Sequence, residues 1–484
     1  MPPKPRFLCS EKDDLIWQKL GEDSDAWYET IHTTDKCREV GNFMLKYKNA
    51  KPELMHAVVR GGYNVVYRLE FADGTSLIMR VPIKGLVAFP DEKVLNEVAT
   101  MRYVAANTTI PVPRIYHYGS AAENPTGLGP FIIMDYIEHH QNMCRALLDP
   151  KRPVDDRPVL DPEIDQEKLE FLYSQMANIL LQLSSLNSPR IGSLAQAQAQ
   201  EAGLVSVERR SLALNMNELS VHTNMPRRFL PSQTYGTARE WYIALVDMHM
   251  AQLALQYNDA AEDDDDVRDN FVARKLFRRL ADANNLWPDR EYSGGDFKLF
   301  SQDLRPANVL IDEDLRVVGV IDWEFAYVAP AEFTCDPPWW LLLLEPESWS
   351  GGYTEWMKAY EPRLHTFLRV LEAEEKEMAA GDWASTPSLS RSMRRSWEER
   401  NWMVNYAVRG SWAFDFIWWK FLDERYFGPN DEQDHHARLH LLSADQKAAM
   451  DTLVASKAYE RSHRMIFEWD EDSAATRVDE LLAS

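Results

Sequence analysis

Cysteine is scarce in this 484-residue chain: Cys9, Cys37, Cys144 and Cys335, with no Cys-x-x-Cys pair and no cysteine–histidine cluster. That excludes a disulfide-held scaffold and a zinc ribbon, and it reads as free thiols of a reducing compartment. Long apolar runs are missing as well. No stretch approaches the roughly 20 apolar residues of a membrane span, and residues 337–344 fall well short. The N-terminus has no apolar core of a secretory signal, and Glu11, Asp13 and Asp14 weigh against a mitochondrial transit peptide. Cytoplasm is therefore the expected compartment, with no membrane as partner. An excess of basic residues is also absent: 53 Lys and Arg stand against 76 Asp and Glu, a formal net charge of −23. So acidic a chain is poorly suited to a polyanion, and no nucleic-acid partner is expected. The same acidity can draw a cationic ligand such as an amine, or serve solubility alone.

What is present is enough for a large core. Hydrophobic residues make up 45% and charged residues 27%, the balance of a globular protein. Most of the sixteen tryptophans fall after residue 235, which predicts an aromatic-rich helical region there. The most telling run is residues 300–324, FSQDLRPANVLIDEDLRVVGVIDWE. Asp303 precedes Asn308 by five residues. VLI (309–311) reads as a strand, Asp312-Glu313-Asp314 as a polar turn and RVVGVI (316–321) as the return strand. The hairpin brings Asp322 back beside the loop carrying Asp303 and Asn308. Three oxygen-bearing side chains thus converge, as phosphoryl transfer demands: one carboxylate to orient a hydroxyl, and a carboxylate and an amide oxygen for a hard cation such as Mg²⁺.

At these residues the chain resembles the aminoglycoside phosphotransferase and choline-kinase-like enzymes, in their large fungal branch, within the wider protein-kinase-like fold. The resemblance implies Asp303 as catalytic aspartate, Asn308 as a metal ligand and Asp322 as the principal metal ligand, with ATP and Mg²⁺ as cofactors. Two departures stand out. The family usually opens this loop with His-Gly-Asp, here Ser301-Gln302-Asp303, and usually has a lysine where Arg80 stands. The resemblance implies an α+β bilobal protein-kinase-like fold: a helical N-terminal extension (1–52), a small antiparallel nucleotide-binding lobe (53–138) and a large, mainly helical lobe with catalytic loop and acceptor site (139–484).

The nucleotide side follows chain order. HAVVRGGYNVVYRLEF is rich in β-branched and aromatic residues, ADGT is a hairpin signal, SLIMRVPI is the return strand and KVLNEVATMRYVAANT has helical periodicity. RIYHYG and FIIMDYI read as two further strands, five in all. Gly61-Gly62 on the first hairpin is the candidate phosphate cover, because backbone N–H groups approach closely only where side chains are absent. Arg80 is the candidate phosphate cation, with Glu97 of the following helix as partner. FIIMDYI is the expected connector, where Met134 borders adenine and backbone groups of Asp135, Tyr136 and Ile137 bond it. The acidic run 262–266 reads as a solvated loop.

The segment after Asp322 is too short for a regulated peptide-docking loop, so it reads as fixed and continuing into a helix. That favours a small-molecule hydroxyl acceptor, and Asp336, Asp415 and Glu424 are candidates to meet a cationic one. Two alternatives stay open: a pseudokinase that binds nucleotide without turnover, motivated by Ser301, Gln302 and Arg80, and, with less support, a protein kinase.

Overall fold

The computed structural model describes residues 12–153, 156–196, 205–287, 297–379 and 388–483; Cys9 and the extreme N-terminus lie outside them. Two helices open the described residues, α1 (Asp14–Ile31) and α2 (Thr34–Met44). Asp13 caps α1 by accepting from the N–H groups of Leu15 and Ile16, and Thr33 caps α2. An antiparallel sheet follows: β1 (Pro52–Met55), β2 (Val59–Arg60), β3 (Asn64–Phe71), β4 (Ser76–Pro82), β5 (Ile115–Gly119) and β6 (Phe131–Asp135), with α3 (Pro90–Asn107) between β4 and β5. The spatial order is β1-β3-β4-β6-β5, and β2 pairs with β3. The sheet has six strands where the sequence predicts five, because Pro52–Met55 adds an edge strand despite its exposed, weakly patterned residues.

Side-chain alternation explains what the sheet does. Leu77, Met79 and Val81 of β4 and Phe131 and Ile133 of β6 face one way, into a core completed by Ile31, Val40, Phe43 and Met44 of the N-terminal helices. Ile78, Ile132 and Met134 face the other way, toward Val94, Val98 and Met101 of α3. A period of two therefore puts Arg80 on the α3 face, not the N-terminal one.

The larger part of the chain is helical, with the long helices Gln166–Ser184, Ala238–Leu255, Asp264–Asp282 and Gly352–Ala379 around one extended core. Two predictions need correction. The acidic run is not simply a loop: Asp263 caps the helix Asp264–Asp282, and three aspartates occupy its first turn, where they complement the helix dipole. The segment after Asp322 does not pass straight into a helix; it forms the strand Ala326–Ala329, which pairs with Phe297–Ser301, before a short helix Ala331–Thr334. The hairpin Val309–Ile311 and Val317–Val320 forms as predicted, and Gln141–Asn142 pairs with its first strand.

Candidate active site

A cavity of about 820 Å³ lies between the sheet and the helical part. Gly61, Gly62, Arg80, Met134, Asp135, Tyr136, Ile137, Asp303 and Asp322 all line it, whereas Glu97 and Asn308 stand just behind its wall. Asp303 sits in the loop after strand Phe297–Ser301. Asn308 Nδ2 donates to its backbone oxygen at 2.8 Å and to Oδ2 at 2.9 Å, and Arg305 Nε lies 2.9 Å from Oδ1. These bonds, with the Ser301–Ala326 register of the ladder, brace a loop that has no histidine.

Asp322 closes the hairpin in a left-handed conformation, φ 65°, and Phe325 repeats this at φ 58°. Such backbone is costly for residues with a Cβ, and it clusters at functional sites. The turn swings Asp322 into the cleft and buries Glu324 behind it.

A charge network ties the two lobes together. Arg80 pairs with Glu97 and, at 2.9 Å, with Asp322 Oδ1; Glu324 is 3.9 Å away. Lys93, one helical turn before Glu97 and only 1% exposed, pairs with Glu324. Asn64, the residue after the Gly61-Gly62-Tyr63 tip, accepts from Lys93 at 2.8 Å and donates to Glu324 at 2.8 Å. Burial works against the charge of Arg80, but Glu97, Asp322 and Glu324 overcome it and hold the guanidinium ionised. Burial likewise opposes ionisation of Glu324, and Lys93 and Arg80 outweigh it. Asp322 is the group left over: burial, then the Glu324 charge, push it to about 7 against the pull of Arg80. Burial also raises Asp303, opposed by Arg305.

Two buried carboxylates, Glu97 and Glu324, and the half-buried Asp322 thus share two cations. The deficit of positive charge sits at Asp322, facing the cavity, which fits a divalent cation. Asn308 spends its amide N–H group on Asp303, so its carbamoyl oxygen is the atom that could hold a metal. Among the described residues no three His, Cys, Asp or Glu side chains form a ready metal cage. Mg²⁺ does not ask for one, since it takes one or two protein ligands and fills its shell with phosphate and water oxygens.

The Gly61-Gly62 tip and the expected connector are equally defined. Gly61 N–H bonds Asn64 O at 2.8 Å. A Cβ on Gly62 would meet nothing within 4 Å, so open space lies beside the tip. On the connector the N–H groups of Asp135 and Tyr136 are already spent on Arg114 O and Ser76 O, at 3.0 and 3.1 Å. This narrows the expected adenine contacts: the Ile137 N–H is the connector donor without an acceptor among the described residues. Beneath it lies Gly319, where a Cβ would come within 2.5 Å of Ile137 Cδ1, so only glycine lets the hairpin strand press against the connector.

The far end of the cavity is aromatic and acidic. Trp397 and Trp402 stack at 5.5 Å and 11°. Glu345 and Glu347 line the wall beside Tyr406, whose hydroxyl is 3.0 Å from each Glu347 carboxyl oxygen. Among the described residues no Lys, Arg or His pairs with Glu347, and burial, then the nearby Glu345, push it to about 8. Asp336 also faces the cavity, held by Asn405 at 2.8 Å and Arg409 at 3.2 Å, and burial raises it to about 7. Asp415 and Glu424 do not line the cavity: Asp415 pairs with Arg274 and Glu424 accepts from Asn430 N–H. The sequence reading missed Lys93, Glu324, Arg305, Glu345 and Glu347. The Trp-Glu tail after Asp322 and the i, i+4 spacing of Lys93 to Glu97 were the signals available for the first two.

The strand-rich lobe, the helical lobe and the acidic cleft between them define an α+β, protein-kinase-like architecture. The chain belongs to the phosphotransferase enzyme family, whose profile matches residues 56–371. A subtelomeric hrmA-associated cluster protein of Aspergillus fumigatus is 29% identical over 117 residues, 24% of this chain and 22% of that protein. Altered inheritance of mitochondria protein 9 of Yarrowia lipolytica is 22% identical over 343 residues, 65% of this chain and 58% of that protein. The chain therefore spans between about a fifth and three-fifths of the length of these curated relatives. A solved macrolide 2′-phosphotransferase type I shares 15% identity over 86% of this chain and 99% of its own, with a TM-score of 0.40. No helix among the described residues is long and apolar enough to cross a membrane.

Proposed function

We propose that the protein transfers the γ-phosphate of ATP to a hydroxyl of a small molecule. The observation that carries this reading is the single cleft in which Asp303, Asp322 and Arg80 meet, with a deficit of positive charge centred on Asp322. Asp303 orients the acceptor hydroxyl and takes its proton, its carboxylate aimed by Asn308 and Arg305. Arg80, steadied by Glu97, binds phosphate oxygens. The Gly61-Gly62 tip covers them through the Gly62 N–H, since the Gly61 N–H is spent on Asn64 O. Met134 and Ile137 receive adenine. Asn308 and Asp322 would hold Mg²⁺, which supplies the positive charge that phosphoryl transfer needs.

The stacked Trp397 and Trp402 and the acidic side chains of Glu345 and Glu347 favour an acceptor that carries a cation: aromatic faces attract one, and Glu347, raised to about 8 while it has no cation partner among the described residues, would ionise on meeting one. The strand that follows Asp322 leaves no room for a peptide-docking loop and speaks against a protein substrate. Cytoplasm remains the proposed compartment; relatives named as mitochondrial make the organelle the alternative, and fractionation of cells decides between them.

A pseudokinase is the second reading. The direct Arg80–Asp322 pair favours it, since that pair occupies both proposed ligands of the phosphates and metal at once. The test is ADP release from Mg-ATP in the presence of pooled metabolite hydroxyls and amino sugars, after nucleotide binding is established by thermal shift. Release that depends on an acceptor and is lost in Asp303→Asn supports transfer. Binding without release from any pool supports the pseudokinase.

A further inference from the structure

We infer that Tyr63 and Glu218 are positioning residues that pin the glycine tip down over the nucleotide phosphates, an inference that rests on the transfer reaction proposed above. Tyr63 follows Gly62 directly, and its hydroxyl donates to Glu218 Oε1 at 2.6 Å. Glu218 belongs to the helix Leu214–His222 of the large lobe. Its buried carboxylate also meets Lys12 Nζ at 3.4 Å and His222 Nδ1 at 3.0 Å. Burial opposes its ionisation, but His222, Lys12 and Tyr63 outweigh it and hold it charged, at about 2. A short O–H bond to a buried carboxylate is among the stronger hydrogen bonds a protein makes. The Tyr63 ring meanwhile stands edge-on to Phe325 at 5.5 Å, next to Glu324.

The other flank of the tip is fastened as well. Arg60 Nη1 pairs with Asp25 at 2.6 Å and Nη2 donates to Ser24 Oγ at 2.8 Å, both on α1. That helix is in turn moored to the large lobe: Asp13 N–H donates to His222 O at 3.0 Å, Asp13 Oδ2 accepts from Asn258 N–H at 3.1 Å, and Asp14 N–H donates to Asp259 at 3.1 Å. Asn64 holds Glu324 from the third side. Gly61 and Gly62 therefore bridge points fixed from outside their own strands. Without those anchors two adjacent glycines would wander, and N–H groups aimed at phosphate oxygens lose most of their effect when misplaced by about 1 Å. The N-terminal extension and the helix around Glu218 thereby take part in the site without touching the nucleotide.

The test compares two ligands on the full chain: Mg–AMP-PNP, which carries the phosphates, and adenosine, which does not. In Tyr63→Phe the ring and its Phe325 contact remain while the hydroxyl is lost. Calorimetric affinity for Mg–AMP-PNP should fall about tenfold, the value of one charge-assisted hydrogen bond, with adenosine affinity unchanged and amide exchange of residues 60–64 accelerated. Glu218→Gln, which keeps an acceptor but not the charge, should fall between wild type and Tyr63→Phe. If wild type prefers Mg–AMP-PNP over adenosine and neither variant alters that preference or the exchange, the inference fails and the transfer reading stands. Equal loss of both ligands in both variants assigns the contact to folding alone and also overturns it. A wild-type protein that gains nothing from the phosphates removes the transfer reading, and this inference with it.

Discussion

Arg80 Nη1 lies 2.9 Å from Asp322 Oδ1, so a cation of the small lobe, already shared with Glu97, reaches across the cleft to the carboxylate that closes the hairpin. Under the proposed transfer, nucleotide and metal would share these two groups between them. Arg80→Ala should leave Glu97, Asp322 and Glu324 buried without their common cation. The expected cost is about 3–5 kcal/mol of stability, as for other broken buried pairs, read by denaturant unfolding. Arg80→Lys keeps the charge but cannot fork onto Glu97 and Asp322 together, so its stability should fall between the two. Phosphate affinity, measured as the Mg–ATP dissociation constant, should weaken in the same order.

Asp322→Ala removes the carboxylate that burial and Glu324 already push to about 7. The fold should survive, since the group is the strained member of the network. Calorimetry with and without Mg²⁺ should find that the metal-dependent part of ATP affinity has gone. Retained metal dependence would mean that another residue holds the ion.

Asp303→Asn keeps the size of the side chain and one acceptor oxygen, while its new NH2 meets a donor, Asn308 Nδ2 or Arg305 Nε. ATP affinity should hold while acceptor-dependent turnover drops by about 10²–10⁴-fold, the usual contribution of a positioned general base. Equal turnover in both proteins would contradict the role given to this residue.

Glu347 supplies a pH signature. Burial and the nearby Glu345 raise its folded pKa from 4.5 to about 8, so between those values the folded chain holds a proton that the unfolded chain has released. Its favourable contribution is complete below about 4.5 and disappears as pH rises through about 8. Glu347→Gln, which cannot ionise, should melt close to wild type at pH 5 and several degrees above it at pH 9, by differential scanning calorimetry. A difference in Tm that does not change with pH would place this carboxyl in water.

The sequence made the local parts of the site legible and left the distant ones dark. Asp303, Asn308 and Asp322 lie within one strand–turn–strand unit whose geometry follows from a few residues, and the alternation in β4 put Arg80 on a definite face. Asn64 and Glu324 are 260 positions apart, and Tyr63 and Glu218 are 155 apart. No periodicity links such pairs; only the folded packing does. Lys93 was hidden for another reason. A lysine in an amphipathic helix reads as solvent-facing, and its burial follows from Glu324, which the chain delivers much later. The strand at Ala326–Ala329 was missed because its four residues carry no signal apart from their pairing with Phe297–Ser301.

Gly319 carries a practical consequence. Its missing side chain is what lets Ile137 press against the hairpin strand, at the floor of the proposed adenine slot. Trimming Ile137 to alanine would therefore open a hollow there that no side chain at 319 can refill. The altered protein should accept ATP analogues enlarged on the base, which ordinary kinases refuse. Such an analogue with a labelled γ-phosphate, added to a cell extract, would mark the acceptor of the proposed transfer, turning one vacancy in the backbone into a means of finding it.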